Sequence, residues 1–129
     1  MSDYPSDLLY TEEHEYLRAA DEDGVYVVGI TDYAQGELGD VVFVELPEVG
    51  SSFARMETFG TIEAVKAVSD LFCPVTGEVV AVNAALDDDP SLVNSDPYGA
   101  GWMVKLRVDD PSELDALLDA AGYEAHVGA

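Results

Sequence analysis

The chain has 129 residues, 48% of them hydrophobic, with 27 acidic residues against five lysines and arginines and a net charge of −22. That balance excludes nucleic-acid binding, which releases counterions through Lys and Arg, and it makes anionic lipid surfaces repulsive. The length accommodates one domain with a real core, and the acidic, lysine-poor composition resembles the surfaces of extreme halophiles, where salt screens self-repulsion.

Residues 1–13 are acidic and patternless and read as a loose N-terminal arm. His14–Arg18 and Val25–Ile30 are rich in Tyr and Val and read as strands joined by the turn Asp21-Glu22-Asp23-Gly24. Asp32, with Gln35 three residues on, predicts a capped helix start, and Gly36 and Gly39 keep that helix short. Val41–Leu46 is a β-branched run halted by Pro47 and Gly50. Phe59–Val65 and Val68–Cys73 flank a tight corner; Pro74–Gly77 is a turn, and Val79–Asn83 and Trp102–Val108 are the last strands. Asp110-Pro111-Ser112-Glu113 opens a C-terminal helix over 111–122, with Asp as cap, Pro at N1 and Glu at N3. Leu114, Leu117 and Leu118 form its apolar stripe, Gly122 stops it, and 123–129 remain as a tail.

A weak internal repeat runs through this pattern. Gly39-Asp40-Val41-Val42-Phe43-Val44 returns as Gly77-Glu78-Val79-Val80-Ala81-Val82, and Gly60-Thr61-Ile62 is echoed loosely by Gly101-Trp102-Met103. It predicts a mainly β fold: a flattened barrel or sandwich of two pseudo-twofold-related halves, with a short internal helix and a C-terminal one. One domain then spans 1–129, and Glu63–Asp70 lies in the connection between its halves.

Only two lysines occur, Lys66 and Lys105. Lys105 alternates out of an apolar strand, an ordinary solvated position. Lys66 stands between Val65 and Ala67 where the chain reverses, and the usual turn formers Gly, Asn and Asp are missing from that apex. A lysine in apolar flanks at an exposed corner points to use of its primary amine, the one group that forms a stable amide with a cofactor carboxyl; Arg cannot replace it.

From here the resemblance is specific. Gly60-Thr61-Ile62-Glu63-Ala64-Val65-Lys66-Ala67-Val68-Ser69-Asp70, followed by Pro74-Val75-Thr76-Gly77-Glu78-Val79, resembles the lipoyl-lysine signature of the glycine cleavage H-protein family. Three further blocks match in order: His14-Glu15-Tyr16; Gly29–Gln35 with Leu38–Pro47; and Leu92–Gly99 with Gly101-Trp102-Met103. The departures are mild, Ala64 where the family usually has Ser and Cys73 where a small residue is common.

The resemblance implies a lipoyl/biotinyl hybrid-like fold and a carrier in place of an enzyme. Lipoate would be amide-linked to Lys66 and would shuttle the aminomethyl group of glycine between partners. These would be the pyridoxal-phosphate glycine decarboxylase, the folate-dependent aminomethyltransferase, dihydrolipoyl dehydrogenase and a lipoate-attaching enzyme. A tethered arm raises the cofactor's local concentration at each of them. Its aminomethyl load hydrolyses in open water, so the family analogy assigns Glu15 and Asp70 to hold the cationic amine in shelter. Glu63 would help the attaching enzyme identify the hairpin.

Other signals are weaker. His14 sits among Glu12, Glu13 and Glu15, but His126 is the only other histidine and no zinc-like spacing accompanies them. Asp87-Asp88-Asp89 lacks the pattern of a calcium loop. Phe43 and Trp102 read as core, and Cys73 as a small packed hydrophobe. That single cysteine permits no internal disulfide; with no signal-peptide pattern and no membrane-length apolar run, a cytoplasmic monomer is expected. Three alternatives stay open: a biotin carrier, disfavoured because Val65 and Ala67 stand where methionines usually flank the lysine; a lipoate-relay protein serving other dehydrogenase complexes; and a β-barrel interaction module without a prosthetic group.

Overall fold

Period-two alternation of apolar residues sorts the strands into two sheets that close over one another. The computed structural model describes residues 7–20 and 22–128. The strands are β1 Leu9–Tyr10, β2 Glu15–Ala19, β3 Val25–Ile30, β4 Val41–Glu45, β5 Ser52–Phe53, β6 Thr58–Ala64, β7 Val68–Phe72, β8 Gly77–Val82 and β9 Val104–Val108. The helices are α1 Asp32–Leu38, α2 Ala85–Asp88, α3 Leu92–Ser95, a 3-10 helix Pro111–Ala116 and α4 Ala120–Gly128. A six-stranded antiparallel sheet runs β1-β2-β3-β9-β8-β5, and a three-stranded one runs β4-β6-β7. Side chains such as Leu17, Val28, Ile62, Leu71, Val79 and Leu106 meet between them in a single cluster. The expected mainly β sandwich is what these residues build.

The internal repeat has a geometric counterpart. The first copy forms β4 in the small sheet, and the second forms β8 in the large one. Pairing of β4 with β6 shifts register between Val41 and Phe43, and pairing of β8 with β9 shifts between Val79 and Ala81. These are the same positions of the repeat. Each copy therefore bulges at its fourth residue, Val42 or Val80, with Val41 and Val79 buried just before the bulge.

Several local expectations change. Thr31, not Asp32, caps α1: its side chain accepts from the Ala34 N–H, while Asp32 becomes the first helical residue and accepts from Gln35. Gly36 lies inside α1, and Gly39 ends it. Phe43 is 47% exposed, so it is no core residue. Trp102 is half-buried, with the Lys105 amine 5.5 Å from its ring, so Lys105 is not simply solvated.

The two termini depart furthest. Residues 1–6 of the expected arm lie outside the described residues, but Leu8, Tyr10 and Thr11 are buried and Leu9–Tyr10 pairs with β2. The continuous helix over 111–122 does not form. Tyr10 and Leu118 exchange both backbone hydrogen bonds, each 2.8 Å, and that bridge forces the chain extended at Leu117. Helix resumes at Ala120, where Asp119 accepts the Gly122 N–H at 2.7 Å, so Gly122 helps start α4 in place of stopping a helix. Most of the expected 123–129 tail is thus helical, and its Tyr123 stacks on Tyr10 at 4.8 Å in a second cluster with Leu8 and Tyr16.

The Tyr123 hydroxyl lies 2.7 Å from both His14 Nδ1 and Thr31 Oγ1, joining α4 to β2 and to the α1 cap. Tyr123→Phe removes both contacts, leaving His14 Nδ1 and the Thr31 hydroxyl each one partner short, so it should destabilise the fold by about 1–3 kcal/mol. Equilibrium urea unfolding reads the loss directly.

Candidate functional site

The β6–β7 hairpin turns in two residues. Ala64 donates to the Ala67 carbonyl at 2.7 Å, which leaves Val65 and Lys66 as the loop. Neither residue takes a positive φ; among described non-glycine residues only His14 and Met56 do. The mirror-image turns usual in such hairpins need positive φ and hence Gly or Asn, so the plain residues at this apex also have a conformational cause. Turns of ordinary hand fit strand twist poorly, and a contact from outside the hairpin braces this one. That brace is the Asp40 carbonyl, which accepts the Val65 N–H at 3.0 Å.

Lys66 projects from this tip and is exposed, with Val65 beside it 75% exposed. Its stem lies across the end of α1: a Cβ on Gly39 would meet Lys66 Cε at 3.1 Å and Cδ at 3.7 Å. Gly39 also holds φ at +81°, a conformation that side chains disfavour. Gly39 therefore ends the helix and leaves clearance beneath the lysine.

Below the tip, the outer face of the small sheet is ordered in rows. Phe43, Glu63 and Val68 are cross-strand partners, and Glu45, Thr61 and Asp70 form the next row. Val68 is 69% and the bulged Val42 53% exposed, so an apolar strip is edged by the exposed carboxylates Glu45, Glu63 and Asp70. Glu63 and Asp70 thus share a face with Lys66 at its end.

Glu15 does not join them there. It sits on β2 in the other sheet and is only 2% exposed. Thr11 donates to its Oε1 at 2.7 Å, and its Oε2 accepts the Phe72 N–H at 3.4 Å on the free edge of β7. Asp70 and Phe72 lie two residues apart, about 7 Å along the strand. The edge of β7 consequently leads from Lys66 past Asp70 toward Glu15. Burial raises the Glu15 carboxyl from 4.5 to about 8, partly offset by those two hydrogen bonds. At neutral pH it is mostly protonated until a cation approaches.

Thr11 was hidden within a segment that carries no pattern, and nothing in the sequence marks it as the partner of Glu15. It also walls a cavity of about 260 Å³ lined by Tyr10, Arg55, Met56, Pro74 and Leu117. The fold does bring His14 and His126 together, with ring centres 5.8 Å apart. Among the described residues no group of three or more His, Cys, Asp or Glu side chains is placed to hold a metal. Cys73 is buried, its Sγ–H donates to the Val75 carbonyl at 3.0 Å, and burial pushes the thiol up to about 12, which leaves it unreactive.

Comparison with known proteins bears on the family and the fold. A model of the glycine cleavage H-protein family matches residues 8–128. The chain is 55% identical over 125 residues to a glycine cleavage system H protein of Symbiobacterium thermophilum, covering 97% of this chain and 96% of that one. It is 56% identical over 130 residues to one of Mycolicibacterium vanbaalenii, with 98% of each chain covered. The crystal structure of a glycine cleavage system H protein from Mycobacterium marinum superposes with a TM-score of 0.85 at 42% identity, covering 97% of this chain and 99% of that one.

The Glu15 carboxyl binds, in the folded state, a proton that the unfolded chain has released between pH 4.5 and about 8. Its contribution to stability is complete below the lower value and is lost as pH rises through the upper one. Glu15→Gln abolishes that titration, so the variant should gain on the wild type as pH is raised from about 5 to about 9. Urea midpoints across that range check the sign; parallel profiles would contradict it.

Proposed function

The chain belongs to the glycine cleavage H-protein family, and on that premise we propose that Lys66 is the lipoyl attachment site of a carrier subunit. The observation that supports this most directly is the presentation of Lys66: an exposed amine on a braced two-residue tip, with clearance under its stem at Gly39. An attaching enzyme needs an unencumbered amine on a rigid, recognisable element, and this tip supplies one. Glu63, one row down the same face beside Phe43 and Val68, serves as a recognition mark for that enzyme.

Lipoate held by Lys66 would supply a disulfide able to accept an aminomethyl group, to give up its carbon with release of ammonia, and to be restored by reoxidation of the dithiol. The chain's own residues do the rest. Lys66 contributes reach and mobility, so that one carrier serves three partner sites in turn. Asp70, exposed on β7, offers a carboxylate to a cationic amine lying along that edge. Glu15 waits at the far end in a dry setting, where an approaching cationic amine favours the ionised carboxylate, so that the carboxyl proton leaves to solvent and the amine donates a charge-assisted hydrogen bond.

The same reading makes the protein a single-domain monomeric carrier of the cytoplasm, where Cys73 stays reduced. Among the described residues no helix is long and apolar enough to cross a membrane. A biotin-carrier role is less well supported, since Val65 and Ala67 flank the lysine.

Protein purified from its native host should show one lipoyl increment by intact mass, mapped to Lys66 by peptide fragmentation. Lys66→Arg should abolish the increment with the fold intact by circular dichroism. Unmodified native protein under glycine-fed growth would refute the assignment.

A further inference from the structure

We infer that Asn94 is the positioning residue for Lys66: it clamps two consecutive peptide units of the α1–β4 junction, and the second of these holds the hairpin tip. The side-chain amide is used at three points. Asn94 Nδ2 donates to the Gly39 carbonyl at 2.8 Å and to Gln35 Oε1 at 3.0 Å. Asn94 Oδ1 accepts the Val41 N–H at 2.8 Å. The Gly39 carbonyl belongs to the Gly39–Asp40 peptide, and the Val41 N–H to the Asp40–Val41 peptide.

A trans peptide is planar, with its N–H and C=O directed to opposite sides. Fixing the Val41 N–H therefore fixes the direction of the Asp40 carbonyl. That carbonyl accepts the Val65 N–H at 3.0 Å, the brace of the turn. The other clamped peptide carries Gly39, over which the Lys66 stem lies. One side chain on α3 thus determines both the floor beneath the lysine and the anchor beside it. Gln35 turns its acceptor to this cluster, with Oε1 facing Asn94 and Nε2 donating to Asp32 at 2.9 Å.

The inference rests on Lys66 as the attachment site, but its physical half is measurable without that reading. Asn94→Asp keeps shape and the acceptor for Val41 while replacing both donors with an oxygen that faces two acceptors. The control is Asn83→Asp. Asn83, just past β8 of the other sheet, makes a similar three-point set with partners outside the hairpin and the α1–β4 junction, donating to the Ala100 and Trp102 carbonyls at 2.8 and 2.7 Å and accepting from Ala85 at 3.2 Å.

The experiment measures two quantities on the full-length unlipoylated proteins. One is amide hydrogen exchange at Val65 under native conditions; the other is the steady-state kinetics of lipoylation by a lipoate-attaching enzyme. Asn94→Asp should speed Val65 exchange about tenfold relative to Ile62, as expected when one or two hydrogen bonds of ordering are lost. It should raise the KM for the protein substrate about tenfold while kcat stays within about twofold. Asn83→Asp should shift neither. Should Asn94→Asp fail to fold, Gln35→Met, which removes one of the acceptors, replaces it, with smaller changes in the same direction.

Unchanged Val65 exchange in a folded Asn94 or Gln35 variant would overturn the inference. So would an equal rise in KM for Asn83→Asp, which would reduce the effect to general destabilisation. Failure of the wild type to be lipoylated at Lys66 would instead refute the attachment assignment, and the exchange comparison would still decide whether Asn94 holds the tip.

Discussion

A two-residue reversal between β6 and β7 is the constraint on which the remaining structure depends. Ile62 and Leu71 must reach the core while the residues joining their strands face water. A loop of two plain residues satisfies this only if its neighbours hold it against the twist of the strands. The Ala64–Ala67 bond closes the turn from within, and the Asp40 carbonyl supports it from outside. The C-terminal end of α1, the start of β4 and the placement of α3 all follow from supplying that support. A short helix ending in glycine brings Asp40 to the tip, and α3 brings an amide to secure it.

The two carboxylates assigned to the amine differ in kind. Asp70 is exposed and belongs to the lysine's own sheet, whereas Glu15 is buried and belongs to the other. An exposed carboxylate interacts weakly in high dielectric, and a dry one interacts strongly but resists ionisation until a partner is present. On the proposed assignment, shelter and release would come from separate positions, Glu15 on β2 and Asp70 on the β7 edge it faces. The sandwich matters because only it brings a residue of β2 against that edge.

How much of this was legible in the sequence depends on whether the determining contacts are local. Val25–Ile30 shows its strand in the sequence with the boundaries that the structure has, because β-branched residues and flanking turn signals agree. The lysine was legible because so few compete with it, and the repeat because both copies carry the same bulge-forming run. Long-range contacts left no such mark. The C-terminal helix is split by backbone pairing between Leu118 and Tyr10, residues far apart in the chain. Thr11 and Asn94 gain their roles in the same way, from partners that sequence spacing does not reveal. Phe43, read as core from its hydrophobicity, faces outward because the bulge at Val42 resets which residues point in.

The large negative charge remains a property of the surface and plays no part in holding the tip, which relies on backbone and amide groups. In strong salt, long-range steering toward the proposed partners would be screened, and docking would then depend on short-range packing at exposed apolar residues such as Phe43, Val65 and Val68. The most direct test of the central claim is exchange of bicarbonate carbon into the glycine carboxyl group, catalysed by glycine decarboxylase with this protein as carrier. The account predicts exchange with protein lipoylated at Lys66 and only background with the unmodified protein or with Lys66→Arg after the same lipoylation treatment. Equal exchange from the unmodified protein would contradict it.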